Sequence, residues 1–185
     1  MKNKVIIVTG PIGSGKSTVL SIFKNLGFNV VDLDVISGTI LITDESREFI
    51  KEYFPTCIVN NKVSKKRIAE IVFNNKFELE KLENYLHPII MNKLNEIINQ
   101  NDGITFVEAS APKNIHKEFE TLVIWAPENV RIERLRIRGM EIEDINNRIN
   151  TQANDEWWLS IGTVIKNDNL DQLHNELKDY LDINL

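Results

Sequence analysis

The chain has 185 residues, 42% apolar and 26% charged, with a net charge of −5. That is the length of one compact domain and the wrong overall sign for a protein that coats nucleic acid. Cys57 is its one cysteine, which excludes a disulfide framework or a cysteine-rich zinc site and fits a reducing, cytoplasmic compartment. The apolar run near the start is only Val5 to Val8, far short of a secretory leader, and no stretch reaches the roughly 18 apolar residues of a membrane span. No repeat, low-complexity tract or Pro/Gly/Ser linker divides residues 1–185, so one folding unit is expected.

Five short runs read as strands: Lys4 to Thr9, Asn29 to Asp32, Ile104 to Glu108, Thr121 to Trp125 and Gly162 to Lys166. They are continuously apolar rather than alternating, the pattern of strands buried on both faces, and helical patterns separate them. The expected architecture is α/β, a three-layer sandwich with a five-stranded parallel sheet flanked by helices. Between the second and third strands lies a helical stretch, 35–100, too long for one crossover. It is expected as an insertion, with two helices meeting near His87 and Pro88. A second helical excursion, 128–154, precedes the last strand.

Gly10-Pro11-Ile12-Gly13-Ser14-Gly15-Lys16-Ser17 fits G-x-x-x-x-G-K-[ST] at every fixed position. It follows an apolar strand and precedes a helical pattern beginning at Thr18, the context of a phosphate-binding loop. Its glycines let backbone N–H groups converge on phosphates, and the helix adds its positive N-terminal end. Lys16 is expected on the β- and γ-phosphates of ATP, and Ser17 on Mg²⁺.

Asp32 and Asp34 follow at the carboxyl end of the second strand, where open α/β sheets hold ligands. Two apart in an extended chain, they point to one side. Asp32 can hold Mg²⁺ or order its waters. Asp34 can take the proton of an attacking hydroxyl, or cap a helix starting near Val35.

Net charge hides a local basic site: five of seven arginines fall within 131–148, which holds no lysine. If Asn129 to Gly139 is helical, Arg131, Arg134 and Arg138 share one face and Arg136 points away. Planar forks on one face suit a transferring phosphoryl group, and a basic lid would exclude water. The alternative is a solvated face paired with Glu128, Glu133 and Glu141. Glu108, ending the third strand, stands where a metal- or acceptor-binding carboxylate would, or makes a buried structural hydrogen bond. Trp157 and Trp158 read as core or interface anchors, and His116 and His174 as surface residues.

Taken together, these residues resemble the dephospho-coenzyme A kinase family over nearly the whole chain. Thr9-Gly10 through Lys16-Ser17-Thr18 is similar to the family's T-G-G-I-G-S-G-K-S-T, with Pro11 for a glycine. Val31-Asp32-Leu33-Asp34 is similar to its hydrophobic-D-A-D element, and Leu86-His87-Pro88 to its L-H-P. Val107-Glu108-Ala109 resembles a third strand ending in V-E-A, and Arg148-Ile149 with Gln152 the R-I-x-x-Q that closes the lid. The resemblance implies a nucleoside-monophosphate-kinase-like enzyme that phosphorylates the ribose 3′-hydroxyl of dephospho-coenzyme A. It implies catalysis by Asp34, Lys16, Arg138 and Arg134, nucleotide contacts from Arg138 and Arg148, and acceptor contacts among Thr9, Asp32, Asp34, His87 and Glu108. Stretch 35–100 becomes the acceptor-binding insertion and 128–154 the lid. The expected partner is a small molecule, with neither nucleic acid nor membrane, in a monomer or weak homo-oligomer.

Three stretches depart from the family pattern: Ser110-Ala111-Pro112-Lys113 replaces P-L-L and an acid, Lys166 replaces the aspartate of V-I-D-N, and Gly139 stands where an aspartate is usual. Rival readings are another small-molecule kinase, acting on a nucleoside monophosphate or shikimate, and a nucleotide-binding relative without turnover. A nucleotide switch would need D-x-x-G, and the four residues from Asp34 end in Ser37.

Overall fold

The structure, a computed structural model, describes residues 3–184. In chain order its elements are β1 (Lys4–Thr9), α1 (Lys16–Asn25), β2 (Asn29–Asp32), α2 (Leu33–Ile40), α3 (Asp44–Tyr53), β3 (Ile58–Val59) and β4 (Lys62–Val63). There follow α4 (Lys65–Asn74), α5 (Lys76–Gln100), β5 (Ile104–Glu108), β6 (Glu120–Trp125), α6 (Glu128–Ile137), α7 (Ile142–Asn150), α8 (Asp155–Ser160), β7 (Thr163–Lys166) and α9 (Leu170–Asn184). They form two compact units, one comprising the chain up to Val31 with Gly103 onward, the other Asp32–Asp102.

The first unit is built on a five-stranded parallel sheet in the order β2-β5-β1-β6-β7. β1 is central, with Ile6 opposite Phe106 of β5 on one side and Val8 opposite Leu122 of β6 on the other. Ile6, Ile7 and Val8 are all fully buried. Successive strand residues face opposite ways, so both faces of the sheet are covered, as the apolar runs predict. On one face Ile6, Val8, Phe106, Leu122 and Ile165 pack with Val19 and Phe23 of α1 and Leu173 and Leu177 of α9. The Phe23 and Phe106 rings stack at 3.8 Å between centroids, fixing α1 against the sheet. Because β1 is the middle strand, the loop after it sits at the carboxyl edge where connections diverge to either side, the place such sheets bind ligands.

The second unit has its own apolar cluster: Ile40 of α2 and Leu41 just after it, Ile50 of α3 and Phe54 just after it, Cys57, Ile68 and Val72 of α4, and Leu82 and Leu86 of α5. Two features differ from the sequence reading. Residues 58–63 form a two-stranded hairpin within the stretch expected to be helical; Asn60 and Asn61 both have positive φ, 49° and 61°, as a two-residue hairpin turn matched to strand twist requires. And α5 is a single 25-residue helix that runs through Pro88, not two helices meeting there. A proline removes the hydrogen bond to the carbonyl four residues back, here Asn84. Asn84, His87 and Pro88 are all exposed, so the defect falls on the solvated face while Leu82, Leu86, Leu94 and Ile98 bury the other.

Candidate active site

The phosphate loop is tightly braced within the first unit. Gly13 takes a φ of +78°, and a Cβ there would lie 2.8 Å from the Arg131 carbonyl, so only glycine lets α6 approach the loop. Gly15, at φ +97°, caps α1, and its carbonyl accepts from Thr18 N and Val19 N. A Cβ there would collide with the Asn167 side chain. Asn167 is buried, and its Nδ2 donates to the Ser14 carbonyl at 2.7 Å. On the other flank Ile12 N donates to Gln152 Oε1 at 2.8 Å. Lys16 Nζ donates to the Gly10 and Pro11 carbonyls at 2.9 and 3.2 Å. Ser17, in the first turn of α1, is exposed, whereas Ser14 is fully buried.

Beside the loop opens a pocket of about 230 Å³ lined by Gly15, Thr18, Arg134, Ile137, Arg138, Asn167 and Leu170. Its basic wall comes from α6, but the three arginines do not act alike. Arg131 is 3% exposed; its Nε donates to the Ala126 carbonyl at 3.0 Å and its Nη2 pairs with Asp155 at 3.1 Å. It braces the helix, where the sequence put it on a shared phosphate-facing surface. Arg134 faces the loop, yet its Nη2 donates to the Asn167 carbonyl at 2.8 Å and its Nη1 to the Ser14 carbonyl at 3.4 Å. Its guanidinium, expected on the transferring group, thus lies on the wall of this pocket with its donors on main-chain carbonyls. Burial lowers its pKa, the Asp168 carboxylate works against that, and the Arg138 charge adds to it. Arg138 follows the last residue of α6 and is the exposed cation of the pocket wall. Arg148 is exposed on α7, with its Nε on the Asp144 carboxylate at 3.2 Å, and does not line the pocket.

Thr9 is fully buried and its hydroxyl donates to the Ala109 carbonyl at 2.7 Å, tying β1 to the chain leaving β5. Glu108 ends β5, half-buried, in register with Val8. In the second unit Asp32 is the N-cap of α2: its Oδ1 accepts from Asp34 N at 2.8 Å and Val35 N at 3.1 Å. The helix therefore starts at Leu33 and the cap is Asp32, not Asp34. Asp34 lies inside the first turn with an exposed side chain. His87 is exposed on α5. Gln152 and Asn167 stand in the R-I-x-x-Q and V-I-D-N patterns, but that both amides hold the phosphate loop shows only in the fold.

The loop fits a polyphosphate. Its glycines leave no side chain over the cradle, Ser14 Oγ is buried without a hydrogen-bond partner among the described residues, and a helix N-terminus stands behind it. For Mg²⁺ the donor set is sparse: among the described residues no three His, Cys, Asp or Glu cluster. The exposed Ser17 hydroxyl in the first turn of α1 is a hard oxygen donor of the kind Mg²⁺ takes beside phosphate oxygens.

The family profile described as dephospho-CoA kinase matches residues 4–172. The chain belongs to the dephospho-CoA kinase family. The dephospho-CoA kinase of Dehalococcoides mccartyi is 32% identical over 176 residues, covering 90% of this chain and 89% of that protein. A crystal structure from Thermus thermophilus superposes with a TM-score of 0.91 at 28% identity, covering the whole of both chains. The solved structure of the dephospho-CoA kinase from Campylobacter jejuni gives 0.71 at 28% identity, over 98% of this chain and 97% of that one. Membership of this family makes the chain an ATP-using kinase on the P-loop fold, acting on a small molecule. No helix among the described residues is long and apolar enough to cross a membrane.

Proposed function

We propose that this member of the dephospho-CoA kinase family transfers the γ-phosphoryl of ATP to the ribose 3′-hydroxyl of dephospho-coenzyme A, completing coenzyme A. The observation that carries the reading is a braced phosphate loop opening onto a pocket with an arginine wall, in a chain similar to this family over nearly its whole length.

The loop amides and Lys16 bind the phosphates, Lys16 leaving the Gly10 and Pro11 carbonyls to do so. Arg138, exposed on the pocket wall, stabilises charge on the transferring group. Asp34 accepts the proton of the 3′-hydroxyl as that oxygen bonds to the γ-phosphorus. The bond from that phosphorus to the bridging oxygen breaks, and ADP leaves with its electrons. Mg²⁺, held by Ser17 Oγ with Asp32 or waters ordered by it, would neutralise phosphate charge. His87 and Glu108 are assigned to the acceptor and Arg148 to the nucleotide after lid movement, with 35–100 as the acceptor-binding insertion and 128–154 as the lid. The protein is read as cytoplasmic, a monomer or weak homo-oligomer.

The test is ADP release from MgATP by the purified protein with dephospho-coenzyme A, AMP, dCMP, shikimate or no acceptor. Release only with dephospho-coenzyme A is expected. Release with a different acceptor, or with none, would replace this substrate.

A further inference from the structure

We propose that Asn167 is a positioning residue that aims the phosphate loop, and that through it the loop after β7 and the phosphate loop move as one piece. The inference rests on the reading of the loop as an ATP site and deepens it.

Asn167 follows β7 directly, is 2% exposed, and its main-chain N–H is held by the Trp125 carbonyl at 2.8 Å. Its backbone is thus anchored to the sheet while its side chain reaches 153 residues back in sequence to the Ser14 carbonyl at 2.7 Å. Arg134 reinforces the contact from the side: Nη1 meets the same Ser14 carbonyl at 3.4 Å, and Nη2 meets the Asn167 Oδ1 at 3.3 Å and its carbonyl at 2.8 Å. Accepting from Arg134 fixes which way the Asn167 amide faces, leaving its NH₂ toward Ser14.

The consequence follows from peptide geometry. In a planar trans peptide the carbonyl of one residue and the N–H of the next point in opposite directions. Holding the Ser14 carbonyl on Asn167 and Arg134 turns the Gly15 N–H to the opposite side, where the loop receives a phosphate. Without that anchor the peptide can rotate, since glycine at 15 imposes little restraint. Asn167 also lines the pocket beside the loop, so its setting of the phosphate cradle and the pocket wall is one side chain's work.

The experiment compares wild type with Asn167→Asp, which keeps shape and the acceptor for Arg134 but removes the donor and places an oxygen against the Ser14 carbonyl. Calorimetry measures the dissociation constants of MgATP and of inorganic tripolyphosphate, which has no base. Roughly tenfold weaker binding of both is expected, the size of one lost buried hydrogen bond, with the melting temperature within a few degrees of wild type. Unchanged tripolyphosphate affinity, or loss confined to MgATP, overturns the proposal, because Asn167 would then act on the base or not at all. Asn167→Ser, which adds no charge beside the phosphates and keeps the main-chain carbonyl for Arg134, is measured alongside and carries the same expectations; loss in Asn167→Asp alone would be charge repulsion and would overturn the proposal. Absence of MgATP binding by the wild type would instead sink the proposed function itself.

Discussion

Asp32 and Asp34 carry the same side chain two positions apart and come to different work. The Asp32 Oδ1 is occupied by two backbone N–H groups at the start of α2, a cap whose loss costs about 1 kcal/mol. Asp34 is inside the helix and exposed, with no capping duty. Asp34→Asn should therefore lower kcat by on the order of 10² to 10⁴, the usual worth of a positioned general base. The dissociation constant of MgATP should stay within about twofold, since in the proposed mechanism the nucleotide is held by the loop. Steady-state kinetics with dephospho-coenzyme A beside nucleotide titration would check it, and retained turnover would remove Asp34 from the mechanism. The loop was legible at this scale because its chemistry demands fixed residue types at fixed spacing. Gln152 and Asn167 stand in the R-I-x-x-Q and V-I-D-N patterns, but their work was not legible, because nothing local shows that a side-chain amide holds a loop 140 or 153 positions away.

At the scale of elements, hydrophobic pattern located the strands well: β1, β2 and β5 have the bounds expected, and β6 and β7 differ by one residue. The hairpin at 58–63 escaped because two-residue strands carry no periodicity, though Asn60-Asn61 between Ile58-Val59 and Lys62-Val63 was a usable turn signal. Helical spacing put Arg131, Arg134 and Arg138 on one face, but spacing alone does not say what that face meets. Near the start of α6 it meets protein, so Arg131 is buried and paired; past its last residue it meets the pocket, so Arg138 is exposed. Arg136, on the exposed side of the same helix, is the natural control. Arg131→Ala should destabilise the fold by about 2 to 3 kcal/mol, through lost packing and hydrogen bonds to Ala126 and Asp155. Arg136→Ala should change stability by less than about 0.5 kcal/mol. Urea titration of both variants separates the roles, and equal midpoints would contradict a bracing function for Arg131.

For the whole molecule, the parallel sheet was readable because strands buried on both faces leave the same apolar signature wherever they occur. What ties the starts of its strands to α9 was not, because it depends on polar residues meeting across the fold. Glu120 opens β6 and joins three elements: Lys4 of β1 approaches its Oε2 at 2.9 Å, and Tyr180 of α9 donates to its Oε1 at 2.8 Å. Burial pushes the Glu120 carboxyl up, but hydrogen bonds from Lys4 and Tyr180 outweigh that and hold its pKa below the ordinary value. Tyr180 is shifted the other way, upward, by burial and by the Glu120 carboxylate. A depressed carboxyl pKa contributes stability that is present above the unfolded value of about 4.3 and lost as pH falls through the folded one. A raised phenol pKa contributes stability that is present below about 10 and lost as pH rises through the folded value. Glu120→Gln removes the titrating carboxylate and the part of the Tyr180 shift it causes, and leaves the larger part that burial causes. The melting temperature of wild type should thus exceed that of Glu120→Gln most above about pH 6, with the gap narrowing below about pH 4 as the carboxylate is protonated. Scanning calorimetry across that range is decisive: a gap independent of pH would mean that the three groups hold β1, β6 and α9 together by packing rather than by charge.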